Sequence, residues 1–459
     1  MNAAVKAVVP EQTGMTRGER IASYVEGALE RDFPADVIDA AKQALVDFIG
    51  VAVGAANDEP VQPVRKVAES WAAQGNAQIF LGKRTTPALA ALVNGTMAHA
   101  MDYDDTHPLG AGHISGPCWS TALAMASHHG SAERATLAAF ITGFEIMARL
   151  GTGGPAGVGR NLHRRGFHPT AVLGRPAAAA VASVLLKLDR QRIAYALGAA
   201  ATMSAGLVGS FGTHAKPFHA GKAAMDGITA AQLAAEGFVA ATHLFELEKG
   251  MLDSFIQNRE VEVPSLDFED RWEILRNGYK PFASCRATHA SSEAAHTLAP
   301  LIAGKTVKRV RAQVHPNALI TAAKRSPRTP LEGKFSVPFC VALSLRGYRL
   351  KASDFSEERL RDASVMDIVP TVEMEGVEGQ PQHEAHLDVY LESGEHLHAD
   401  TTLFLGHPDN PMTWDDTHAK FQGLVEPMLG AEKAGVLYEK LRRFEEPGVL
   451  RSVMALLAR

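Results

Sequence analysis

The chain has 459 residues, 46% of them hydrophobic, with 46 Lys+Arg against 51 Asp+Glu and a formal net charge of −5. That length suits two or three domains, and the charge balance argues against a nucleic-acid-binding surface. Three cysteines, Cys118, Cys285 and Cys340, stand too far apart for a disulfide framework or a paired-cysteine zinc site, so a reducing cytoplasm is expected.

In chain order, residues 1–17 read as a tail with no apolar core, so no signal peptide is expected. From Phe33 onward, Val37, Ala41, Leu45, Phe48 and Ala52 recur at three- and four-residue spacing, a buried helical face. Helices follow at 61–74 and 86–101, with a strand-like QIFLG at 78–82 between them. The helical pattern continues over 94–103, which would place His99 and Asp102 on one face. Pro108, Gly110 and Gly112 then break it and leave His113 on a loop. Further helices are predicted at 120–129 and 136–151. His168 lies on a turn before a small-residue helix that contains the alanine-rich run 177–183. After a helix at 192–204, the segment GSFGTHAKPFHAGKAAMDG sets His214, Lys216, His219 and Lys222 just before and within a helix at 223–236. Residues 1–271 therefore read as the first part of a large all-α bundle domain.

The texture changes over 272–402. Strand-like runs appear at 307–316, 370–376 and 383–404, the last with a hairpin signal at 392–395, and helices intervene at 290–303 and 334–345. This is a smaller α+β lid domain. Residues 403–459 are helical again, at 417–429, 431–443 and 448–457, and are expected to return to the bundle, making it discontinuous. The fold class is thus mainly α. The apolar stretches 43–56 and 177–186 are too short or too rich in small residues to span a bilayer, so no membrane partner is expected.

One stretch, MAHAMDYDDTHPLGAGHISGPCW at 97–119, gathers His99, Asp102, Asp104, Asp105, Thr106, His107 and His113 beside apolar helices. Buried carboxylates and imidazoles cost free energy unless paired, and active sites are where that cost is tolerated. Taken singly, each aspartate reads as a helix cap and each histidine as a satisfied, partly buried imidazole. The cluster as a whole reads as a site. Three further patches, 166–170, 213–219 and 285–289, also carry His, Lys or Arg beside Gly, Pro or Thr at helix edges. Lys216, Arg286 and the histidines suit an acidic substrate, because carboxylates need cationic, multi-donor partners. His113, His168 and His289 are acid/base candidates near neutral pH. Lys222 reads as a solvated helix start. Rival signals are weak. DYDD resembles an aspartate-rich magnesium motif, but no second such cluster exists. GTGGPAGVG at 151–159 is neither a P-loop nor GxGxxG after a strand, and no GxSxG or HExxH occurs. No metal ligand set is assigned.

At these patches the sequence resembles the MmgE/PrpD family, which includes 2-methylcitrate dehydratase, cis-aconitate decarboxylase and iminodisuccinate epimerase. The matching pieces are NGTMAHAMDYDDTH, GFHPTAVLG, HAKPFHAGKAAMDG and KPFASCRATH, in the family's order. The resemblance implies a large helical domain, an α+β lid, a homodimer and no obligatory cofactor. The family's active-site positions fall on Asp102, Thr106, His113, His168, Lys216 and His289. GRPAAAA from Gly174 departs from the usual run, and within 317–334 Lys324, Arg325 and Lys334 are candidates for lid-side contacts.

The resulting expectation is a cofactor-independent lyase, a dehydratase or decarboxylase acting on a small di- or tricarboxylate. His113 and His168 are expected as acid and base, with Lys216, Arg286 and His289 on carboxylates. Asp102 would orient an imidazole, and Thr106 would hydrogen-bond substrate. An epimerase or isomerase of a dicarboxylate is the second reading. A non-catalytic carboxylate-binding protein is the alternative of another class.

Overall fold

The computed structural model describes residues 14–110, 112–153, 157–246, 248–258, 260–263 and 266–459. Most of the expected N-terminal tail, and positions 154–156 of the glycine-rich run, lie outside the described residues. The contacts divide the chain into two units: one up to Ala100 with Asp105–Asn277 and Val425–Arg459, the other Met101–Asp104 with Gly278–Leu424.

The larger unit is helical: α1 (Arg17–Glu26), α2 (Ala35–Gly54), α3 (Val61–Ser70), α4 (Pro87–Ala100), α5 (Ser115–His129), α6 (Glu133–Gly151), α7 (Val158–Arg164), α8 (Pro169–Leu185), α9 (Arg190–Thr202), α10 (Ala215–Ala235) and α11 (Met251–Ile256). Small residues set how these helices meet. A Cβ on Gly95 of α4 would stand 2.7 Å from the Cα of Gly221 on α10. A Cβ on Gly227 of α10 would stand 2.4 Å from the Cβ of Ala178 on α8. Bare backbone at these crossings lets α10 lie close against both neighbours, and every residue of α8 is buried. This close approach carries the first turns of α8 and α10 to the same place as the last turn of α4.

The expected strand at 78–82 shrinks to a two-residue ladder, β1 (Ala77–Gln78) with β2 (Arg84–Thr85). The side chain of Asn94 takes the neighbouring backbone groups instead, accepting from Phe80 N at 3.0 Å and donating to Gln78 O at 2.9 Å. A buried amide here substitutes for a strand partner.

The smaller unit holds α12 (His289–Leu298), α13 (Ala318–Thr321), α14 (Pro330–Gly333), α15 (Val337–Leu345), α16 (Ala363–Met366) and a four-stranded sheet. Its strands are β3 (Val307–Val314), β4 (Val372–Gly376), β5 (Ala385–Leu391) and β6 (His396–Thr401), in the order β4-β3-β5-β6. β3 runs parallel to β4 and antiparallel to β5, and β5–β6 is the expected hairpin, closed by Gly394 at φ +87°. Period-two alternation gives the sheet one apolar face, packed on α12 and α15, and one polar face. On the polar face Arg309 pairs with Glu373 at 2.5 Å and Arg311 with Glu375 at 2.6 Å. Towards the edge strand, His386, Asp400, His398, Asp388 and His396 form a continuous imidazole–carboxylate chain with contacts of 2.6–2.9 Å.

The chain leaves the smaller unit along α17 (Trp414–Leu429), and α18 (Ala431–Arg442) and α19 (Val449–Leu456) follow in the larger one. No helix among the described residues is long and apolar enough to cross a membrane.

Candidate active site

In the larger unit, three helix ends and one loop bring four imidazoles together. His99 lies in the last turn of α4 and is 1% exposed. His168 is the N-cap of α8, where Pro169 at the first helical position fixes the helix start. Its backbone N donates to Gly206 O at 3.0 Å, which pins the residue. Two residues on, the Thr170 hydroxyl accepts from His113 N at 2.9 Å and ties the predicted loop to α8. The rings of His99 and His113 then lie 4.5 Å apart, His99 and His168 5.6 Å, and His113 and His168 6.4 Å.

α10 supplies the other side. It begins at Ala215, earlier than the sequence pattern suggests, so Lys216 and His219 both lie within the helix, three residues apart on one face. His219 Nδ1 is 3.1 Å from His168 Nδ1. Buried Lys216 sets its ammonium 5.2 Å from the Phe211 ring centroid, and the same ring meets the His168 ring at 5.0 Å.

Burial holds His168 well below the ordinary imidazole range, and His99, Lys216, His113 and His219 push it in the same direction. Burial, with Arg175 and Lys216, brings His219 down to about 4. Both imidazoles are therefore neutral at pH 7. Every neighbour that acts on His168 is a potential cation, so negative charge placed against this ring would be favoured.

The smaller unit holds a second group, built around Met101–Asp104. The expectation that α4 continues over 94–103, with His99 and Asp102 on one face, is corrected here. The helix ends at Ala100, and Asp102 takes a left-handed backbone at φ +53°. Three lysines hold this segment by its carbonyls. Lys334 donates to Met101 O at 2.8 Å, Lys280 to Asp102 O at 2.6 Å and Lys420 to Tyr103 O at 2.7 Å. Ammonium groups compete successfully for carbonyls that an extended helix would need, and a short Asp side chain tolerates the left-handed region. Lys280 also meets the Asp102 carboxylate at 3.1 Å, with both groups buried.

His289 begins α12, fully buried between Phe282 and Phe404 at ring distances of 5.2 and 5.5 Å. Its Nε2 is 3.2 Å from Ser284 O and so carries the hydrogen, which leaves Nδ1 as a buried lone pair without a partner among the described residues. Burial first, then the charges of Lys280 and Arg286, keeps His289 well below its ordinary range. It is a neutral acceptor. Arg286 lies in the 3₁₀ turn before it, 5.2 Å from the Phe404 ring centroid.

Other candidates take structural places. Asp105 accepts from Ser115 N and Oγ at 3.2 and 2.7 Å, at the start of α5, and from Asn277 at 2.8 Å. His107 Nε2 is 3.1 Å from Glu273. Burial raises the Glu273 carboxyl, but hydrogen bonds and charge from His107 and Arg271 outweigh it and bring the group to about 2. Arg175 of GRPAAAA pairs with Asp226 at 2.8 Å and donates to Ala171 O and Ala205 O, and Lys222 shares Asp226 rather than standing solvated. Lys324 pairs with Glu332 on the surface. Thr106, half-buried, precedes His107 in the larger unit.

His113, His168 and Lys216 lie in the larger unit, and Asp102, Arg286 and His289 lie in the smaller one. Sequence reasoning gave no individual role to His99, His219 or Lys280. His219 had a signal, its three-residue spacing from Lys216. Lys280 had only its place as the first residue of KPFASCRATH.

Residues 19–264 match the MmgE/PrpD N-terminal domain and residues 282–443 the MmgE/PrpD C-terminal domain. The chain is 24% identical to a cis-aconitate decarboxylase of Mus musculus, over 98% of this chain and 94% of that protein. It is 25% identical to a cis-aconitate decarboxylase of Homo sapiens, over 93% and 92%. A cis-aconitate decarboxylase of Aspergillus terreus is 26% identical over 79% and 78%. With both domains matched in order over most of its length, the chain belongs to the MmgE/PrpD family.

Proposed function

We propose that this protein is a cofactor-independent lyase that decarboxylates a small tricarboxylate of the cis-aconitate type. The observation that carries the reading is the cluster of buried His99, His168 and Lys216 with half-buried His113, in which His99, His113 and Lys216 all act on His168 as potential cations. A substrate carboxylate would find an ammonium and several imidazole donors together there. Family membership and the names of the relatives support the tricarboxylate.

The chemistry follows from charge. When one carboxylate leaves as carbon dioxide, its bonding pair stays on the adjacent carbon. In an unsaturated tricarboxylate that pair spreads along the allylic system towards another carboxylate. Lys216 holds this developing charge, and a histidine of the cluster supplies the proton that forms the new C–H bond. A bound trianion favours imidazolium over imidazole, so the cluster protonates when substrate arrives. We assign His289, a neutral acceptor at Nδ1, to a protonated carboxyl group of the substrate, whose O–H can donate to it. We assign Asp102, Thr106 and Arg286 to holding and orienting substrate, and take the protein as a homodimer, which sedimentation checks.

The test is NMR with 2-methylcitrate, citrate, cis-aconitate and iminodisuccinate in heavy water, before and after exhaustive chelation. Carbon dioxide release from cis-aconitate, with deuterium in the product and no loss on chelation, is the expected result. Turnover of 2-methylcitrate or of iminodisuccinate alone would replace decarboxylation by dehydration or epimerisation. Binding without any exchange would make this a carboxylate-binding protein.

A further inference from the structure

The contact between His168 and His219 is made by the two Nδ1 atoms, 3.1 Å apart. Two neutral imidazoles share such a contact only if one carries the hydrogen and the other the lone pair. Either way, His168 Nδ1 is occupied and its Nε2 is left for chemistry. His219 is half-buried on α10, next to Gly206, where a Cβ would stand 3.6 Å from both ring carbons that flank His219 Nε2. Gly206 is also the residue whose carbonyl pins the His168 backbone. One short segment therefore fixes His168 by its main chain and seats the ring that holds its side chain.

We infer that His219 is the positioning residue of His168: it orients the ring through Nδ1, presents Nε2 to the substrate and brings no negative charge. The inference rests on the reading that His168 exchanges a proton during the reaction. A carboxylate in that place would also orient the ring, but it would stabilise the imidazolium and weaken it as an acid. An imidazole partner can donate to neutral His168 or accept from its protonated form. The ring is thus held in both states, and its proton remains easy to give up. The other groups that bear on the pair are His99, His113 and Lys216, together with Arg175, which Asp226 already pairs. None of these four groups brings negative charge to the pair itself.

The experiment compares His219→Ala, His219→Gln and His219→Glu with wild type by the pH dependence of kcat and KM, and by imidazole ¹⁵N spectra without substrate. His219→Ala is expected to lower kcat about 10- to 100-fold with KM little changed. His219→Gln, whose amide can still donate or accept, recovers most of that loss. His219→Glu moves the pH–rate limb assigned to His168 upward by about one unit or more. In the spectra, His168 shows one neutral tautomer in wild type and a mixture in His219→Ala. An unchanged kcat in His219→Ala, an unmoved limb in His219→Glu, or an unchanged tautomer overturns the inference. If wild type turns over no tricarboxylate, the proposed function fails, and the spectra alone decide whether His219 positions His168.

Discussion

Two sets of histidines in this molecule meet opposite conditions. In the larger unit, His168 and His219 are packed against other imidazoles, Lys216 and Phe211, and burial keeps them neutral. On the polar face of the smaller unit's sheet, His386, His396 and His398 stand at 37–49% side-chain exposure and alternate with Asp388 and Asp400. His398 is the clearest case. Its Nδ1 is 2.9 Å from Asp388 and its Nε2 2.8 Å from Asp400, so both nitrogens face carboxylate oxygens. A neutral imidazole has only one N–H, so this geometry fits the imidazolium. Hydrogen bonding to Asp388 first, with the charges of Asp400 and Asp388, raises His398 above its ordinary range. The difference teaches that sequence context does not fix a histidine's charge. Burial among potential cations takes the proton off, and exposure between carboxylates keeps it on.

The largest effect that sharpens this comparison is on turnover. His168→Ala and Lys216→Ala should each lower kcat by about two orders of magnitude or more with the fold intact by circular dichroism. Near wild-type rates in both would take the neutral cluster out of the chemistry.

The next effect is on stability. Lys280 is buried beside Asp102, so Lys280→Met leaves that carboxylate without its ammonium partner. A loss of about 3–5 kcal/mol in denaturant unfolding is expected, as for other broken buried pairs. A loss below about 1 kcal/mol would show that the pair is not isolated from water.

The smallest effects are in pH dependence, and the two histidine sets should give opposite signs. His219 is depressed to about 4 when folded. Between about 4 and the unfolded value near 6.5 the unfolded chain binds more protons, so this group's contribution to stability is lost as pH falls through that window. His398 is raised when folded. Its contribution is fully present below about 6.5 and is lost as pH rises through the folded value. Imidazole NMR titration checks both assignments. His398 should titrate above an unperturbed histidine and His219 well below it, and the reverse order would break the comparison. His398→Gln should abolish only the stability slope above about pH 6.5.

Much of the fold was legible because helix and strand periods are local. The alternation around 392–395 gives β5 and β6, and the apolar spacing from Val37 gives α2. Helix ends were less legible. α4 stops at Ala100 because lysines at 280, 334 and 420, far along the chain, capture the next three carbonyls. Likewise, the register of 78–82 turns on Asn94, a side chain from a different element.

The sequence by itself determined which chemistry is available: histidines and a lysine beside helix ends, at His113, His168, Lys216 and His289. It did so because residue type and helix breaking are short-range properties. Only the tertiary structure decided protonation, partners and membership of the site. His99 and His219 join the cluster because glycines and alanines let α4, α8 and α10 approach closely. Asp105 and His107 leave it because Ser115, Asn277 and Glu273 occupy them. Charge state depends on burial and on neighbours distant in sequence, and these are fixed only when the helices pack.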